Sequence, residues 1–418
     1  MNTGRVCVIG AGLSGLAASV VLASAGARVV LIEGAGQAGG RCRSYLDPVL
    51  NQVIDNGNHL ILSGNHATFE YLRTVGSARQ LAGPEQARFP FVDVRNGRRS
   101  TVAPNEGAIP WWVFSKSRRV PGTSIREYLD VPKLLAASSD KRIGEVIACD
   151  GLLWERLLRP LLLAALNTEP EAASAGLAAA VLRETLMKGG RACRPRIASP
   201  HLSSTFIDPA LGYLKSSGAD MRFGSRLRGI EFVHGRAQAL DFADGPVALD
   251  GTDSVVLATP AWVTADLLPG VIAPNEFRSI VNAHFAIAPP PSAPLMIGII
   301  GGTAEWVFAF PDRISVTVSC ADAIVDRDRE DLAKVLWRDV AAVHGLGPEL
   351  PPWQIVKERR ATFAATPEQV KRRAKAETRW SNLFLAGDWT DTGVPATIEG
   401  AVRSGNRAAE LALRSVAR

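Results

Sequence analysis

The chain opens with apolar runs separated by glycine-rich turns. Residues 5–9 (RVCVI) form a short apolar run that ends at a glycine, which is typical of a buried strand. A glycine-rich turn over 10–15 leads into an alanine-rich helix that Gly26 ends, and residues 28–33 (RVVLIE) predict a second buried strand. Strand, turn, helix and strand together predict a βαβ unit.

The rest of the chain mixes helical and strand patterns, and no internal repeat is visible. The spacing of apolar residues predicts helices over 66–82, within 131–187, and over 206–217, 328–345 and 396–415. Alternation predicts strands within 220–256 and over 254–260, 295–300, 306–310, 314–320 and the start of 382–390. Residues 85–125 are rich in turns, and we expect a loop over 189–200.

One uncharged stretch, residues 279–304, is long enough to raise the question of a membrane span. It contains four prolines between positions 289 and 294, and proline breaks a helix because it lacks an N–H and clashes with the preceding turn. We therefore predict two strands joined by a proline loop, in a protein that is soluble or at most peripheral on a membrane. The N-terminus lacks the apolar segment of a secretory signal.

Composition narrows the class of protein. A single hydrophobic core stops growing at roughly 250–300 residues, so for 418 residues we expect two domains or one elaborate domain. Hydrophobic residues at 47% and charged residues at 21% exclude a mainly disordered or coiled-coil chain. Five scattered cysteines without a C-x-x-C pair favour a reducing, cytoplasmic setting, and we expect no metal site. The net charge of +6 suits an anionic cofactor or a membrane surface.

The turn after the first strand carries a cofactor motif. Gly10, Gly12 and Gly15 have the spacing G-x-G-x-x-G. The first glycine permits a tight turn, the second lets the backbone approach a pyrophosphate, and the third lets the helix pack on the strand. Glu33 ends the second strand, where a carboxylate accepts hydrogen bonds from ribose hydroxyls. The segment predicts a dinucleotide site with the phosphates at the helix N-terminus.

A second glycine-rich segment, GQAGGRCRS (36–44), follows the acidic residue directly. A loop of this composition suits a return over the diphosphate, where Arg41 would supply charge-assisted hydrogen bonds. The two segments together resemble the flavin amine oxidase and phytoene desaturase superfamily. The C-terminal sequences LAGDWT (385–390) and PATIEGAVRSG (395–405) resemble the second FAD segment of that superfamily.

The resemblance implies an α/β fold in which an FAD-binding Rossmann-like domain is interleaved with an α+β substrate domain. We expect the FAD-binding domain over 1–62, 205–275 and 376–418, and the substrate domain over 63–204 and 276–375. FAD is the implied cofactor. Its expected ligands are Gly10, Ala11, Gly12, Leu13, Ser14, Gly15, Glu33, Gly34, Gly39, Gly40, Arg41, Gly57, Asn58, His59, Thr259, Pro260, Gly387, Asp388, Ala396, Thr397 and Ile398.

The middle of the chain narrows the resemblance. DNGNH (55–59), the segment from Trp154 through RPL (159–161) to AALNT (164–168), and Phe206 with PA (209–210) resemble the squalene-associated desaturase branch, which contains the hydroxysqualene dehydroxylases. The chain departs from the branch pattern at positions 58 and 394, where Gln and Leu are expected. The implied activity is reductive removal of a hydroxyl from hydroxysqualene, with a hydrophobic isoprenoid as the partner.

Three residues are candidates for catalysis. His59 follows a turn that the resemblance places near the flavin, and it is the first candidate for the proton donor that the leaving hydroxyl needs. Asp391 follows the Gly-Asp turn and is the second candidate, while Trp389 is a candidate wall of the flavin pocket. A structural role stays open for each: backbone hydrogen bonding for His59, capping for Asp391 and packing for Trp389.

Other activities stay open on the same motifs. A carotenoid or phytoene-type desaturase would transfer hydride in the opposite direction. A flavin amine oxidase commonly adds a lysine near the flavin, and Lys357 is the nearest match although its KERR setting resembles a charged surface strand. A third alternative is a flavin-binding isomerase or lipid carrier without net redox turnover.

Two surface segments carry unusual composition. Residues 111–119 combine two tryptophans and a phenylalanine with three basic residues, which suits peripheral contact at the inner face of a membrane. A loop packed on itself is the alternative. The basic run 371–375 is expected to be a solvated helix face, because no nucleic-acid-binding fold accompanies it.

Overall fold

The predicted βαβ unit is present at the start of the chain. The computed structural model describes residues 4–416. Strands β1 (Arg5–Ile9) and β2 (Arg28–Ile32) pair in parallel, and helix α1 (Leu13–Ser24) connects them. Both strands are apolar at almost every position because a parallel sheet is covered on both faces.

The other elements follow in chain order. The strands are β3 (Ser44–Asp47), β4 (Gln52–Asp55), β5 (Leu60–Leu62), β6 (Leu81–Ala82), β7 (Phe89–Asp93), β8 (Arg98–Val102), β9 (Pro195–Ala198), β10 (Asp220–Arg222), β11 (Gly229–Val233), β12 (Arg236–Phe242), β13 (Gly245–Ala248), β14 (Ser254–Leu257), β15 (Phe277–Phe285), β16 (Met296–Ile300), β17 (Trp306–Ala309), β18 (Ile314–Val318), β19 (Trp353–Phe363) and β20 (Leu383–Leu385). The helices are α2 (His66–Thr74), α3 (Asp130–Leu135), α4 (Gly151–Leu153), α5 (Arg159–Leu166), α6 (Ala175–Glu184), α7 (Asp208–Ser216), α8 (Ala261–Leu267), α9 (Arg329–His344), α10 (Pro367–Val370) and α11 (Ile398–Val416).

A five-stranded parallel sheet is the framework of the cofactor region. Its strand order is β10-β2-β1-β14-β20, so the carboxyl ends of all five strands lie along one edge. Helices α1 and α11 cross in close backbone contact. A Cβ on Gly405 of α11 would stand 2.2 Å from the carbonyl oxygen of Ser14, so only glycine fits there.

A seven-stranded sheet forms the second framework, in the order β19-β15-β18-β17-β16-β7-β8. Its pairs are antiparallel except β7 with β16. On one face, Phe285 and neighbouring aliphatic residues pack against α9, with Trp337 tilted against Phe285. On the other face, Trp306 and Phe308 join an apolar cluster with Leu162 of α5 and with Leu158, which precedes that helix. The sheet therefore separates two hydrophobic cores.

Several sequence expectations are confirmed. The uncharged stretch 279–304 contains the end of β15 and all of β16, with the prolines in the loop between them. Helix α9 begins after Asp328, whose carboxylate accepts the N–H groups of Glu330 and Asp331, and ends at Gly345 in the left-handed region. Within residues 4–416, no helix combines the length and apolarity that crossing a membrane requires.

Two local predictions are wrong. The helix predicted over 66–82 ends at Thr74, because Gly76 adopts φ +80° and turns the chain. The loop predicted over 189–200 contains β9, which pairs with both β5 and β6. The partners of β9 are remote in sequence, so the local pattern carried no sign of this strand. The turn-rich region 85–125 contains the local β7–β8 hairpin.

The two large sheets draw on alternating parts of the chain. The parallel sheet uses residues from 5–32, 220–257 and 383–385, and the seven-stranded sheet uses 89–102 and 277–363. This mixture of parallel and antiparallel sheets with helices is the α/β fold class that the sequence predicted. The exact domain boundaries stay a prediction.

Candidate functional site

The carboxyl edge of the parallel sheet gathers the predicted cofactor residues. The chain leaves β1, β14 and β20 side by side. Ala258 donates its N–H to the Ile9 carbonyl at 2.8 Å, and Ala386 donates to Leu257 at 3.0 Å. The predicted residues at this edge are Gly10 to Gly15 after β1, Glu33 and Gly34 after β2, Thr259 and Pro260 after β14, and Gly387 and Asp388 after β20.

The three motif glycines have three distinct environments. Gly10 adopts φ +106°, a conformation that other residues rarely take. A Cβ on Gly15 would stand 1.8 Å from the Gly10 carbonyl oxygen, so glycine is required for close packing of helix on strand. A Cβ on Gly12 would meet nothing within 4 Å, and α1 begins at the next residue without a side-chain cap. The open space and the free helical N–H groups fit a dinucleotide phosphate.

Glu33 and the second glycine-rich segment are both attached to this turn. The carboxylate of Glu33 accepts the N–H groups of Ala11 at 2.7 Å and Ala35 at 2.8 Å. Gly39 donates its N–H to the Ala11 carbonyl at 2.8 Å, which lays the second segment across the first. Carboxylate oxygens have further lone pairs, so Glu33 can still accept hydrogen bonds from ribose hydroxyls.

Arg41 links the two FAD segments. Its guanidinium pairs with the carboxylate of Asp388 at 2.7 Å and also donates to the Ala361 carbonyl on β19. Nearby, the Trp389 indole donates to the Thr259 carbonyl at 3.0 Å. The N- and C-terminal motifs therefore meet, as the sequence predicted. The diphosphate contact of Arg41 stays a prediction.

A small pocket opens at this junction between the two sheets. Arg360 of β19 lies over the ring of Trp262, with the guanidinium carbon 4.7 Å from the ring centroid. Neither residue stands in a recognisable motif, so the sequence did not indicate them. The pocket is lined by Arg41, Pro260, Ala261, Trp262, Phe277, Arg360, Thr362, Phe363, Asp388 and Trp389.

Helix α11 fixes the C-terminal segment. Its Ser404 hydroxyl accepts the Gly387 N–H at 2.9 Å. At the start of the helix, Glu399 is buried and accepts the Thr68 N–H at 2.9 Å at the beginning of α2. The predicted residues Ala396 and Thr397 immediately precede α11, and Ile398 is its first residue.

Arg373 corrects the expectation that 371–375 is a solvated helix face. Its side chain is buried, with only 8% of the residue exposed. The guanidinium donates to the carbonyls of Asp388 at 3.3 Å and Thr390, and to the Thr392 hydroxyl at 2.9 Å. Burial lowers the pKa of Arg373 to about 10, so it stays cationic at neutral pH. Arg373 therefore fixes the turn that follows Gly387, a role that the basic composition of 371–375 did not indicate.

The 55–59 loop rests on the seven-stranded sheet. The Asn58 amide donates to the Val316 carbonyl at 3.2 Å and to the Thr317 hydroxyl at 3.1 Å. That hydroxyl in turn donates to the Asn282 side chain at 2.7 Å. A Cβ on Gly57 would stand 3.1 Å from the same Asn282 amide. Asn282 was not among the residues predicted from the sequence. The signal that could have indicated a functional role is a polar residue within the apolar stretch of β15.

A buried charged group lies beneath the same loop. Asp55 and Arg313 are 2% and 1% exposed, and their side chains approach to 3.5 Å. The His284 Nε2 lies 3.0 Å from the Asp55 carbonyl, and its Nδ1 lies 2.8 Å from the Ser315 hydroxyl. Because a carbonyl can only accept, Nε2 carries the hydrogen and Nδ1 accepts from Ser315. Burial lowers the pKa of His284 to about 3, so the imidazole is neutral.

The three predicted catalytic residues have different surroundings. His59 is half-buried, and burial lowers its pKa despite the opposing effect of the Asp55 carboxylate. Trp389 is 3% exposed and packs in the same apolar cluster as Trp306 of the seven-stranded sheet. Asp391 is exposed, and its backbone N–H bonds to the Ala374 carbonyl at 2.8 Å. Their catalytic roles stay predictions.

A titratable residue that no sequence motif indicated is Glu305. It lies just before β17, and its carboxylate accepts the Ser319 N–H at 2.8 Å. Burial raises the pKa of Glu305 to about 7, so the carboxyl is partly protonated at neutral pH.

Comparison with known proteins defines the class. The chain matches the family described as flavin containing amine oxidoreductase over residues 13–413. It belongs to this family and is an FAD-dependent oxidoreductase. Solved structures agree on the fold: a putative protoporphyrinogen oxidase from Exiguobacterium has a TM-score of 0.68 at 18% identity, with 98% of each chain covered. Cyclohexylamine oxidase from Brevibacterium oxydans has a TM-score of 0.72 at 14% identity, with 100% of each chain covered.

Curated relatives define the group within the family. The chain is 54% identical over 409 residues to a protein named hydroxysqualene dehydroxylase from Rhodopseudomonas palustris, with 98% of each chain covered. It is 47% identical over 406 residues to the protein of the same name from Zymomonas mobilis, covering 97% of this chain and 98% of the relative. The chain belongs with the hydroxysqualene dehydroxylases, as its motifs indicated.

Proposed function

We propose that this protein converts hydroxysqualene to squalene by reductive loss of the hydroxyl group. The observation that carries the proposal is the full-length identity of about half the residues to proteins named for this activity. The geometry supports it, because Trp389 of the second FAD segment belongs to the same large apolar cluster as residues of the helices and of the seven-stranded sheet.

The conversion replaces a hydroxyl by a hydrogen. The C–O bond breaks, the hydroxyl leaves with one added proton as water, and a hydride bonds to the carbon. FAD in its reduced form supplies hydride chemistry when it is bound. The residues of the chain must hold the cofactor, donate the proton and exclude water from a developing allylic cation, which aromatic faces stabilise.

Cofactor binding is assigned to the edge of the parallel sheet. The turn at Gly12 and the start of α1 would hold the diphosphate, because the space beside Gly12 is open and the first N–H groups of α1 have no side-chain cap. Glu33 would accept hydrogen bonds from ribose hydroxyls. Arg41 and Asp388 form an ion pair that joins the two FAD segments, and this pair would orient the cofactor.

The substrate is assigned to the apolar cluster behind Trp389. This cluster contains leucines in and beside α5, such as Leu158 and Leu162. It also contains Trp306, Phe308 and other residues of the seven-stranded sheet. A C30 hydrocarbon needs a long apolar lining with few polar groups, and the cluster has that composition. Its aromatic rings also provide faces for a cation.

The proton is assigned to His59. This residue ends the 55–59 loop and follows Asn58, whose side chain bonds to β18. Because burial lowers its pKa, the cationic acid becomes more populated as the pH falls below the usual histidine range. We therefore expect the turnover rate to rise as the pH falls from neutral, and this rise to be absent in His59→Gln.

The decisive experiment supplies purified protein with reduced FAD and hydroxysqualene and analyses the lipids by mass spectrometry. Squalene formation is expected, and His59→Ala should abolish it while the flavin absorbance of the bound cofactor is retained. Asp391→Ala tests the second candidate in the same assay, and loss of squalene formation in that variant alone would assign the proton to Asp391 instead. Desaturation of phytoene or hydrogen peroxide release from amines, without squalene formation, would instead support the alternative activities. Full turnover by His59→Ala would remove that residue from the mechanism.

We also propose that the protein works at the cytoplasmic face of the membrane as a peripheral protein. Its proposed substrate and product are both hydrocarbon-like lipids that partition into bilayers, so contact with a membrane would shorten their path to the site.

A further inference from the structure

An exposed apolar surface lies on two short helical turns between β8 and α3. The turns span Trp111–Phe114 and Ile125–Leu129. Trp111 is 64% exposed, Phe114 59% and Leu129 60%. We call the set Ile109, Trp111, Phe114, Ile125 and Leu129 the aromatic face. Exposed side chains of this size that cluster usually mark an interaction site.

The aromatic face is held in place from behind. The Trp112 ring is buried and meets the Tyr128 ring edge to face, with centroids 5.5 Å apart. The Asn105 side chain accepts the Trp112 N–H at 3.1 Å, and the Tyr128 hydroxyl accepts the Val120 N–H at 3.0 Å. Trp112 therefore supports the face from within, contrary to the expectation that all the aromatic residues of this segment suit a membrane. The exposed residues of the aromatic face therefore project from turns that buried side chains and hydrogen bonds fix in place.

The surroundings of the face are positively charged. Residues 109–135 contain five basic and two acidic residues, a net charge of +3, which is half of the net charge of the whole chain. One acidic residue, Asp130, is paired with Lys133 at 2.8 Å, and the other, Glu127, accepts the Ser124 N–H at 2.7 Å. Lys116 and Arg118 are exposed and form no ion pair within residues 4–416.

The face is also continuous with the interior. Trp112, Val113, Val120 and Tyr128, which lie beneath it, belong to the same apolar cluster as Trp306 and the helix leucines. The aromatic face therefore rests on the same apolar cluster that is assigned to the substrate.

We infer that the aromatic face docks on an anionic lipid bilayer, with its rings among the lipid headgroups and acyl boundary and the adjacent lysine and arginines on the lipid phosphates. Amphipathic surfaces of this composition bind membranes through apolar burial plus attraction to anionic lipid. The inference rests on the proposed function only for the identity of the lipid cargo. The surface chemistry stands independently of the reaction.

The test uses full-length holoprotein and sedimentation with vesicles of phosphatidylcholine mixed with phosphatidylglycerol, compared with vesicles of phosphatidylcholine alone. The wild type should bind the anionic vesicles more tightly. Lys116→Ala with Arg118→Ala should weaken binding to them about 25-fold, since each basic residue near an anionic surface contributes about 1 kcal/mol. Trp111→Ser with Phe114→Ser should weaken binding to both kinds of vesicle.

The matched control is Val49→Ser with Ile272→Ser, which removes two apolar side chains that are 69% and 63% exposed elsewhere on the surface. It should leave vesicle binding unchanged. Every variant should retain turnover of detergent-dispersed substrate, which separates docking from chemistry. Absence of wild-type vesicle binding would overturn the inference and the proposed peripheral location, but it would leave the proposed reaction untouched, because that reaction is measured on detergent-dispersed substrate. Self-association that is lost in Trp111→Ser with Phe114→Ser, without vesicle binding, would also overturn it and make the face a protein contact.

Discussion

The parallel-sheet region and the seven-stranded region build their functional surfaces in opposite ways. In the first, many contacts involve backbone groups of segments that are close together in the chain: the Ala11 N–H donates to the Glu33 carboxylate, and the Ala11 carbonyl accepts the Gly39 N–H. In the second, the important groups are side chains from segments far apart in the chain. Asn58, Asn282 and Thr317 form one hydrogen-bonded set although more than 200 residues separate the first from the other two.

The difference shows why one half of the site could be recognised so easily. Glycine spacing reports a backbone geometry, and that geometry is almost all that a dinucleotide phosphate requires. A buried side-chain network depends on which strands pair, and local sequence does not specify this. Three experiments, from the largest expected effect to the smallest, test whether the two regions differ in this way.

The first experiment separates two glycines of one motif. Gly15→Ala should destabilise the fold by about 3 kcal/mol or more, because a Cβ there collides with a backbone oxygen. Gly12→Ala should leave the melting temperature of the FAD-free protein unchanged, because the added methyl meets open space. It should nevertheless weaken FAD binding on the order of 100-fold if the diphosphate occupies that space.

Thermal unfolding of cofactor-free protein and titration with FAD, followed by flavin fluorescence, measure the two effects. Gly26→Ala tests a glycine that lies outside the motif but has positive φ, so it should lose stability without losing intrinsic FAD affinity. Normal FAD affinity of a folded Gly12→Ala protein would contradict the assigned phosphate position.

The second experiment asks whether a side chain is also essential in the motif-rich region. Arg373→Met keeps most of the volume but leaves the carbonyls of Asp388 and Thr390 without their donor. We expect a loss of about 3 kcal/mol in the free energy of unfolding, since unsatisfied buried polar groups cost about 1–3 kcal/mol each. Arg372→Met is the matched neighbour. Among the residues that the structure describes, that side chain bonds only to the Ala273 carbonyl, at 3.0 Å, so a smaller loss is expected. Equal losses of stability in urea unfolding would contradict the conclusion that Arg373 fixes the turn after Gly387.

The third experiment uses pH to report on the buried groups of the seven-stranded region. The pKa of His284 is lowered to about 3 in the folded protein, so above the unfolded value of 6.5 neither state is protonated and its contribution is fully present. As the pH falls below 6.5, only the unfolded state takes up the proton, and stability is lost. Between pH 7 and 5 this amounts to about 2 kcal/mol. His284→Asn should remove that part of the pH dependence in urea unfolding.

Glu305 provides a control of opposite sign. Its pKa is raised to about 7, so the folded state resists ionisation and stability falls as the pH rises from the usual carboxyl range toward 7. Glu305→Gln should therefore increase the loss of stability on acidification, where His284→Asn decreases it. If both variants changed the pH dependence in the same direction, a neutral buried His284 and a partly protonated Glu305 could not both be correct.

The sequence alone determined the cofactor, the family and most of the secondary structure. The G-x-G-x-x-G turn, the G-G-R segment and the C-terminal GDWT segment each depend on local backbone geometry, and local geometry is written in contiguous residues. The paired strands β5, β9 and β6 were not predicted, because each is short and gains its stability from partners more than 100 residues away.

Only the tertiary structure decided which side chains are buried and which are exposed. It placed Arg373 inside, where a basic run suggested solvent, and it divided an aromatic segment into a buried Trp112 and an exposed Trp111. Burial is the physical reason in each case. Whether a charge is desolvated or an aromatic ring is free to contact lipid depends on what packs against it, and that is settled only when distant segments meet.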